Sequence, residues 1–339
     1  MTSADYFIKR TIQGVFTFFA VMSITFAMIR LMPGGPMDFL RAQMSQQVGG
    51  QMTQAEMDRK LELFTNMHPD RPLHEQYFGY IEHVLSGDLG RSIWYNEPVA
   101  EILGAAMPWT IFISIVSLVV IYAAGVSLGA IMAYIEGSKF DISSSMLSIV
   151  ITSVPFYIVA IVLVWFLGYQ WGLFPISGQF GENVRPGYNT AFIQSILYYG
   201  ALPIISLVLA GFGRIALSMR GNSIQTLGAD YLRVARLRGL SQRRIALRYV
   251  ARNAFLPMYT GMMISIGTLF GSSIILEQIF SYPGVGYYMF RAVSSRDYPL
   301  MMGTFLFITL GVIVGVYIAD LTYGYVDPRA GGGGEREAF

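Results

Sequence analysis

Nine arginines lie between residues 214 and 252, in a segment set between long apolar runs. Arg244, Arg248 and Arg252 fall at i, i+4 and i+8, one stripe of a helix, where unpaired like charges repel by a few tenths of a kcal/mol per pair. The stripe therefore wants an anionic neighbour, and two remain open: inner-leaflet lipid phosphates or a protein. Chemistry is scarcer elsewhere. His68, His74 and His83 are too irregularly spaced for a metal site and read as solvated loop residues. The chain has no cysteine, which excludes disulfides, thiolate metal sites and cysteine nucleophiles. Its three lysines, Lys9, Lys60 and Lys139, do not follow a glycine, so a phosphate loop ending in Gly-Lys-Ser/Thr is absent. Gly211-Phe-Gly213 follows no strand and reads as helix packing. No catalytic residue, metal or cofactor is assigned to the chain.

The elements that must carry these residues follow from composition. With 54% hydrophobic residues, 13% charged residues and a mean hydropathy of +0.50, the 339-residue chain is too apolar for an ordinary soluble domain. It reads as an all-α integral membrane protein. The net charge of +2 gives no support to nucleic-acid binding. A bilayer core takes about 20 apolar residues per helix, and six runs qualify: 8–32, 109–134, 143–171, 193–217, 258–280 and 300–321. The first ends at Pro33-Gly34-Gly35-Pro36 without a small-residue cleavage pattern and reads as a retained span. A polar loop of about seventy residues follows, amphipathic over 54–66 but too polar to cross a membrane. Pro155 should bend the third span. Gly125, Gly129, Ser148 and Ser153 allow close helix packing.

Six spans place both termini on one side, and lysine and arginine decide which. With the termini inside, the inner segments hold Lys9, Arg10, Lys139, the nine clustered arginines, Arg329 and Arg336; the short outer loops hold only Arg185, Arg291 and Arg296. An ion-coupled carrier places ionisable groups within its spans. Here Arg30 and Glu277 fall near outer ends, Arg214 and Asp320 near inner ends, and all four read as interfacial anchors or paired groups. A proton or sodium symporter is disfavoured. If ATP drives transport, it is hydrolysed on a separate subunit that pushes through the basic segment. There, 229–238 suits a short helix, Gly239 a break, and Ser241 the N-cap of a second helix to about residue 255.

Asp230-Tyr-Leu-Arg-Val-Ala-Arg-Leu-Arg-Gly-Leu240 and Arg252-Asn-Ala-Phe-Leu-Pro257 resemble the cytoplasmic loop of permease subunits of dipeptide/oligopeptide ATP-binding-cassette importers. So do Ser86-Gly-Asp-Leu-Gly-Arg-Ser-Ile93 with Pro98-Val99, Glu277-Gln-Ile-Phe-Ser-Tyr-Pro-Gly-Val-Gly286, Arg296-Asp-Tyr-Pro299 and Asp327-Pro-Arg329. These occur in the family's order and cover nearly the whole chain. The resemblance implies the type I importer permease fold with six transmembrane helices. Its regions would be residues 1–32 (N-terminus and first helix), 33–107 (an extracytoplasmic loop domain), 108–322 (the permease domain, with a coupling loop at 225–257) and 323–339 (a cytoplasmic tail).

It also implies a prokaryotic inner-membrane location and half of a translocation pathway for peptides. The implied partners are a second homologous permease, two cytoplasmic ATPases carrying ATP and Mg, an extracytoplasmic substrate-binding protein, and membrane lipids. The coupling residues it implies are Asp230, Tyr231, Arg233, Ala235, Arg236, Gly239 and Leu240. Ala235 and Gly239 carry the family's Ala-x-x-x-Gly spacing, whereas Arg233 stands where glutamate is usual and Val234 where alanine is usual. Tyr282, Pro283 and Gly284 read as a turn at the outer mouth and as candidates for touching substrate. Two alternatives remain: the same architecture carrying oligosaccharides or nickel complexes, or a channel or ion-coupled carrier whose basic loop only anchors to lipid.

Overall fold

The computed structural model describes residues 3–31, 72–227 and 230–326. The elements among them are helices: α1 (Ser3–Leu31), α2 (Leu73–Leu85), α3 (Val99–Tyr134), α4 (Lys139–Thr152), α5 (Phe156–Leu163), α6 (Thr190–Leu227), α7 (Asp230–Leu237), α8 (Gln242–Ile245), α9 (Ala251–Ile279), α10 (Val285–Ser295) and α11 (Tyr298–Val326). Two π-helical turns, Val164–Gln170 and Ala246–Val250, extend α5 and join α8 to α9. Helix is what an apolar solvent demands, because a bilayer offers no water to satisfy open backbone groups. Among the described residues, four helical segments are long and apolar enough to cross a membrane: Ile8–Ala27, Val99–Tyr134, Thr190–Leu227 and Tyr298–Ala319. The bent pair α4–α5 makes a fifth if its halves form one span. The 29-residue α9 occupies the positions of the remaining expected run. The amphipathic stretch 54–66, the Pro-Gly stop after α1, and Asp327-Pro-Arg329 lie outside the described residues.

Three boundaries differ from the sequence reading. α3 starts at Val99, before Pro108, because Val99, Ile102, Leu103 and Ala106 form an i, i+3, i+4, i+7 face buried with Val285, Ala292 and Leu300. Burial of that face carries the helix through the proline. Pro155 breaks the third run rather than bending it: α4 stops at Thr152, α5 starts at Phe156, and the two axes differ by 91°. Proline lacks the N–H that would continue the helix and pushes the residue before it out of helical conformation. α6 runs to Leu227, ten residues past the expected end of its span, and carries helix into the basic segment.

The chain divides into two compact units, one gathering residues up to Thr110 with Ser273–Gln278 and Pro283–Val314, the other Ile111–Ser272 with Ile279–Tyr282 and the chain from Gly315 on. In the first, Met22 and Phe26 of α1 bury against Tyr80 of α2 and Tyr298, Met302 and Leu306 of α11. The Ser23 and Tyr77 hydroxyls meet at 2.6 Å. α2 ends in a Schellman turn: Gly87, at φ +83°, allows the Asp88 N–H to reach the His83 carbonyl at 2.9 Å and its own N–H to reach Val84 at 3.0 Å.

In the second unit, α6 is the hub. Gly125 and Gly129 of α3 lie against Phe212, Ile215, Ala216 and Met219 of α6, so closely that a Cβ at 129 would fall 2.8 Å from the Met219 Cβ. Gly213 lies against α4, where a Cβ would fall 2.8 Å from the Ser148 carbonyl oxygen. The small residues expected to permit close packing therefore do so at Gly125, Gly129 and Ser148. Ser153 is exposed and instead donates to the Ile149 carbonyl at 2.8 Å. Gly129→Val should lower stability by about 1–3 kcal/mol through overpacking. Gly104→Ala, whose added methyl meets nothing within 4 Å in the interior of α3, should keep stability or raise it by up to about 1 kcal/mol, and thermal unfolding of the purified variants in detergent checks the difference.

Candidate functional site

Two motifs far apart in sequence form one structure. Asp297, 1% exposed, accepts the Ser92 hydroxyl at 2.5 Å and the Trp94 N–H at 3.0 Å through one oxygen, and the Leu300 N–H at 3.2 Å through the other. Ser92 in turn accepts the Tyr95 N–H at 3.0 Å. A buried carboxylate needs such donors, and these tie the Ser86–Ile93 motif to the Arg296–Pro299 motif and cap the first turn of α11. Beside them Tyr95 packs edge-on to Tyr288, and burial raises both phenols above the ordinary tyrosine value, so both stay neutral.

Glu277, 1% exposed, is likewise a cap. It accepts the Thr110 hydroxyl at 2.7 Å and the Tyr287 N–H at 2.9 Å, while Thr110 accepts the Val285 N–H at 2.8 Å. A carboxylate there faces the positive end of α10. The sequence candidates for substrate contact sit in this turn. Tyr282 is 0% exposed, Gly284 is buried with no room for a side chain beside Glu277 and Thr110, and Pro283 is half-buried. The turn seats α10 and presents little surface of its own.

The basic segment is different in kind. Leu232 and Ala235 of α7 bury with Ile245 and Val250, flanked by Leu227, Leu240 and Tyr249. Gly239, at φ +70°, ends α7, and the Leu240 N–H returns to the Ala235 carbonyl at 3.3 Å. This is the long bond of a Schellman turn. It gives the Ala-x-x-x-Gly spacing a physical meaning: alanine three positions inside the helix end and glycine one position outside it, with the residue after the glycine folded back onto the apolar cluster. The Tyr231 hydroxyl accepts from Asn253 at 3.1 Å, and Asn253 also donates to the Tyr249 carbonyl at 2.7 Å, joining the two halves of the motif.

With that inner face filled, α7 turns a second apolar face outward. Tyr231 is 44%, Val234 48% and Leu237 82% exposed, bordered by exposed Asp230, Arg233 and Arg238. The second helix expected from Ser241 is not one regular helix, because its stripe crosses the π turn before merging into α9. Arg244 and Arg248 are exposed, while the side chains of Arg236 and Arg252 lie outside the described residues. Among the described residues there is no cluster suited to a metal ion.

Residues 125–332 match the family described as binding-protein-dependent transport system inner membrane component, a stretch that contains the whole basic segment. The chain belongs to this family. Such proteins are membrane permease subunits. The chain is 28% identical to the dipeptide transport system permease protein DppB of Escherichia coli K12, over 96% of this chain and 98% of that protein. It is 31% identical to the di/tripeptide transport system permease protein DppB of Pseudomonas aeruginosa, over 92% and 94%, and 28% identical to the oligopeptide transport system permease protein AppB of Bacillus subtilis, over 96% and 99%.

What the sequence missed in this permease is mostly pairing. It did not join Ser92 to Asp297, and it singled out neither Asp141 nor Arg220, which form a bidentate ion pair with Nε–Oδ1 at 2.5 Å and Nη2–Oδ2 at 2.8 Å. An Asp and an Arg 79 positions apart carry no local signal.

Gly239→Ala, which meets no neighbouring atom but must hold a left-handed backbone, should cost about 1 kcal/mol. It should reduce transport, whereas Gly239→Asn should retain most of it; whole-cell uptake at matched membrane levels checks this. Asp297→Ala, which strands the Ser92 hydroxyl and the backbone N–H groups of Trp94 and Leu300, should destabilise the protein by about 3 kcal/mol or more and lower the melting temperature by more than Ser92→Ala alone.

Proposed function

We propose that this permease subunit carries peptides across a prokaryotic inner membrane and is driven by cytoplasmic ATPase subunits that grip it at α7. The observation that carries the reading is the second apolar face of that helix. A short helix already buried on one side has no structural need for Val234 and Leu237 on the other, and exposed apolar residues rimmed by charge mark an interaction surface. Asp230, Arg233 and Arg238 supply the polar rim, and Gly239 and Leu240 fix the angle of presentation.

The names of the relatives support peptide cargo, since three of them, aligned over nearly their full lengths, are dipeptide, di/tripeptide and oligopeptide permeases. The missing phosphate loop supports hydrolysis of ATP, with Mg, on partner chains. A second homologous permease completes the pathway, and an extracytoplasmic binding protein delivers substrate. The distribution of lysine and arginine supports cytoplasmic termini. Arg244 and Arg248 face lipid phosphate or the ATPase. The long segment after α1 forms an extracytoplasmic region, and the turn at Tyr282, Pro283 and Gly284 supports the mouth through packing.

Val234→Glu and Leu237→Glu test the assignment. Burying a leucine contributes about 2 kcal/mol, so each change should weaken retention of the ATPase by roughly thirtyfold while leaving the permease in the membrane. Pull-down of the tagged chain in mild detergent, with uptake of labelled dialanine in parallel, reads both. Undiminished ATPase recovery and uptake in both variants would contradict the assignment.

A further inference from the structure

α4 and α6 meet at two levels. Asp141, the third residue of α4 and 1% exposed, binds the Arg220 guanidinium of α6 through both carboxylate oxygens. Two turns along α4, Ser148 meets Gly213, which lies two turns back along α6. The matching intervals mean that the helices run antiparallel in fixed register, held by charge at one level and by backbone contact at the other. Asp141 is itself fixed on its own side: it accepts the Gly137 N–H at 3.0 Å, its N–H donates to the Ser138 hydroxyl at 3.1 Å, and the Ser145 hydroxyl approaches at 3.5 Å. Planar, two-point Arg–carboxylate geometry transmits orientation as well as attraction.

The position of this pair on the chain matters. Arg220 lies ten residues before Asp230, on the last turns of the helix that leads into α7. Asp141 opens the helix whose far end breaks by 91° at Pro155 into α5. Resting on the reading that α7 receives the ATPase stroke, we propose that the Asp141–Arg220 ion pair is the strut that passes displacement of α7 into the bent segment α4–α5. It would then set how much substrate moves per ATP hydrolysed. Arg220 is 28% exposed at its side chain, so the pair sits at the edge of the packed region, where it can bear load without being the only contact between the helices.

The test is the ratio of dialanine taken up to ATP hydrolysed, in proteoliposomes containing this chain with the ATPase and permease subunits that co-purify with it and with its binding protein supplied. Asp141→Asn retains an acceptor for Gly137, and Arg220→Lys retains the charge but not the two-point fit. Each should lower the ratio by at least about fivefold, the lower end of ordinary coupling between sites, with assembled complex and ATP hydrolysis maintained. A merely structural pair would change the amount of complex and leave the ratio alone. Because the chain has no cysteine, Asp141→Cys with Arg220→Cys, in partners freed of cysteine, gives a second arm within one folded sample. The ratio should be low before, and restored after, bridging by a short bis-maleimide.

An unchanged ratio in the Asn and Lys variants, or a ratio in the double-cysteine protein that the bridge does not raise, would overturn the strut. Val234→Glu, measured alongside, separates the two readings. If it impairs ATPase retention and transport while the strut variants keep a normal ratio, the strut alone fails. If no ATPase co-purifies, or Val234→Glu has no effect, the underlying assignment fails with it.

Discussion

The features that position the basic segment depend on how closely α6 can be approached. Its 38 residues run unbroken from Thr190 to Leu227, and the missing side chains at Gly125, Gly129 and Gly213 let neighbouring helices come to backbone contact. In a membrane, where apolar side chains gain little by leaving lipid, such close approach supplies much of the association energy. Substituents at those sites would push α3 and α4 away from α6 and take with them the register in which Asp141 meets Arg220. α7 follows α6 after two residues, so its presentation inherits that packing.

α7 itself shows how a helix of eight residues, too short to persist alone, is held in one pose. Leu232 and Ala235 fill an apolar cluster, the left-handed turn at Gly239 folds Leu240 back on it, and Asn253 holds the Tyr231 hydroxyl from the far half of the motif. The outward face can then be apolar without collapsing inward. A rigid presenting helix loses little freedom when a partner covers it, which favours tight and oriented docking. The capped turns around Asp297 and Glu277 follow the same logic in the other unit: a buried carboxylate gathers backbone N–H groups and fixes where a helix starts.

Membrane class and most helix positions were legible because long apolar runs and their polar stops are local properties. The segment 230–240 was legible as a motif, and Gly239 as a helix break, because glycine's backbone freedom shows in sequence. What was hidden required contacts between distant residues. Pro108 reads as a helix start until Val99, Ile102, Leu103 and Ala106 find a surface to bury against. Pro155 reads as a kink, and only the packed structure shows a full break. The Arg244, Arg248 and Arg252 stripe assumes regular α spacing that the π turn at Ala246–Val250 interrupts. Ser92 with Asp297, and Asp141 with Arg220, become visible only once the chain has folded.

The central claim is that the exposed face of α7 is covered by an ATPase subunit in the working transporter. Since the chain has no cysteine, Leu237→Cys places a single thiol on that face, and its labelling by a water-soluble maleimide can be timed with and without the co-purifying ATPase. The account predicts rapid labelling of the isolated permease and labelling slowed at least about tenfold in the assembled complex, as burial of a reactive group requires. Equal rates in the two states, with the ATPase demonstrably bound, would contradict it.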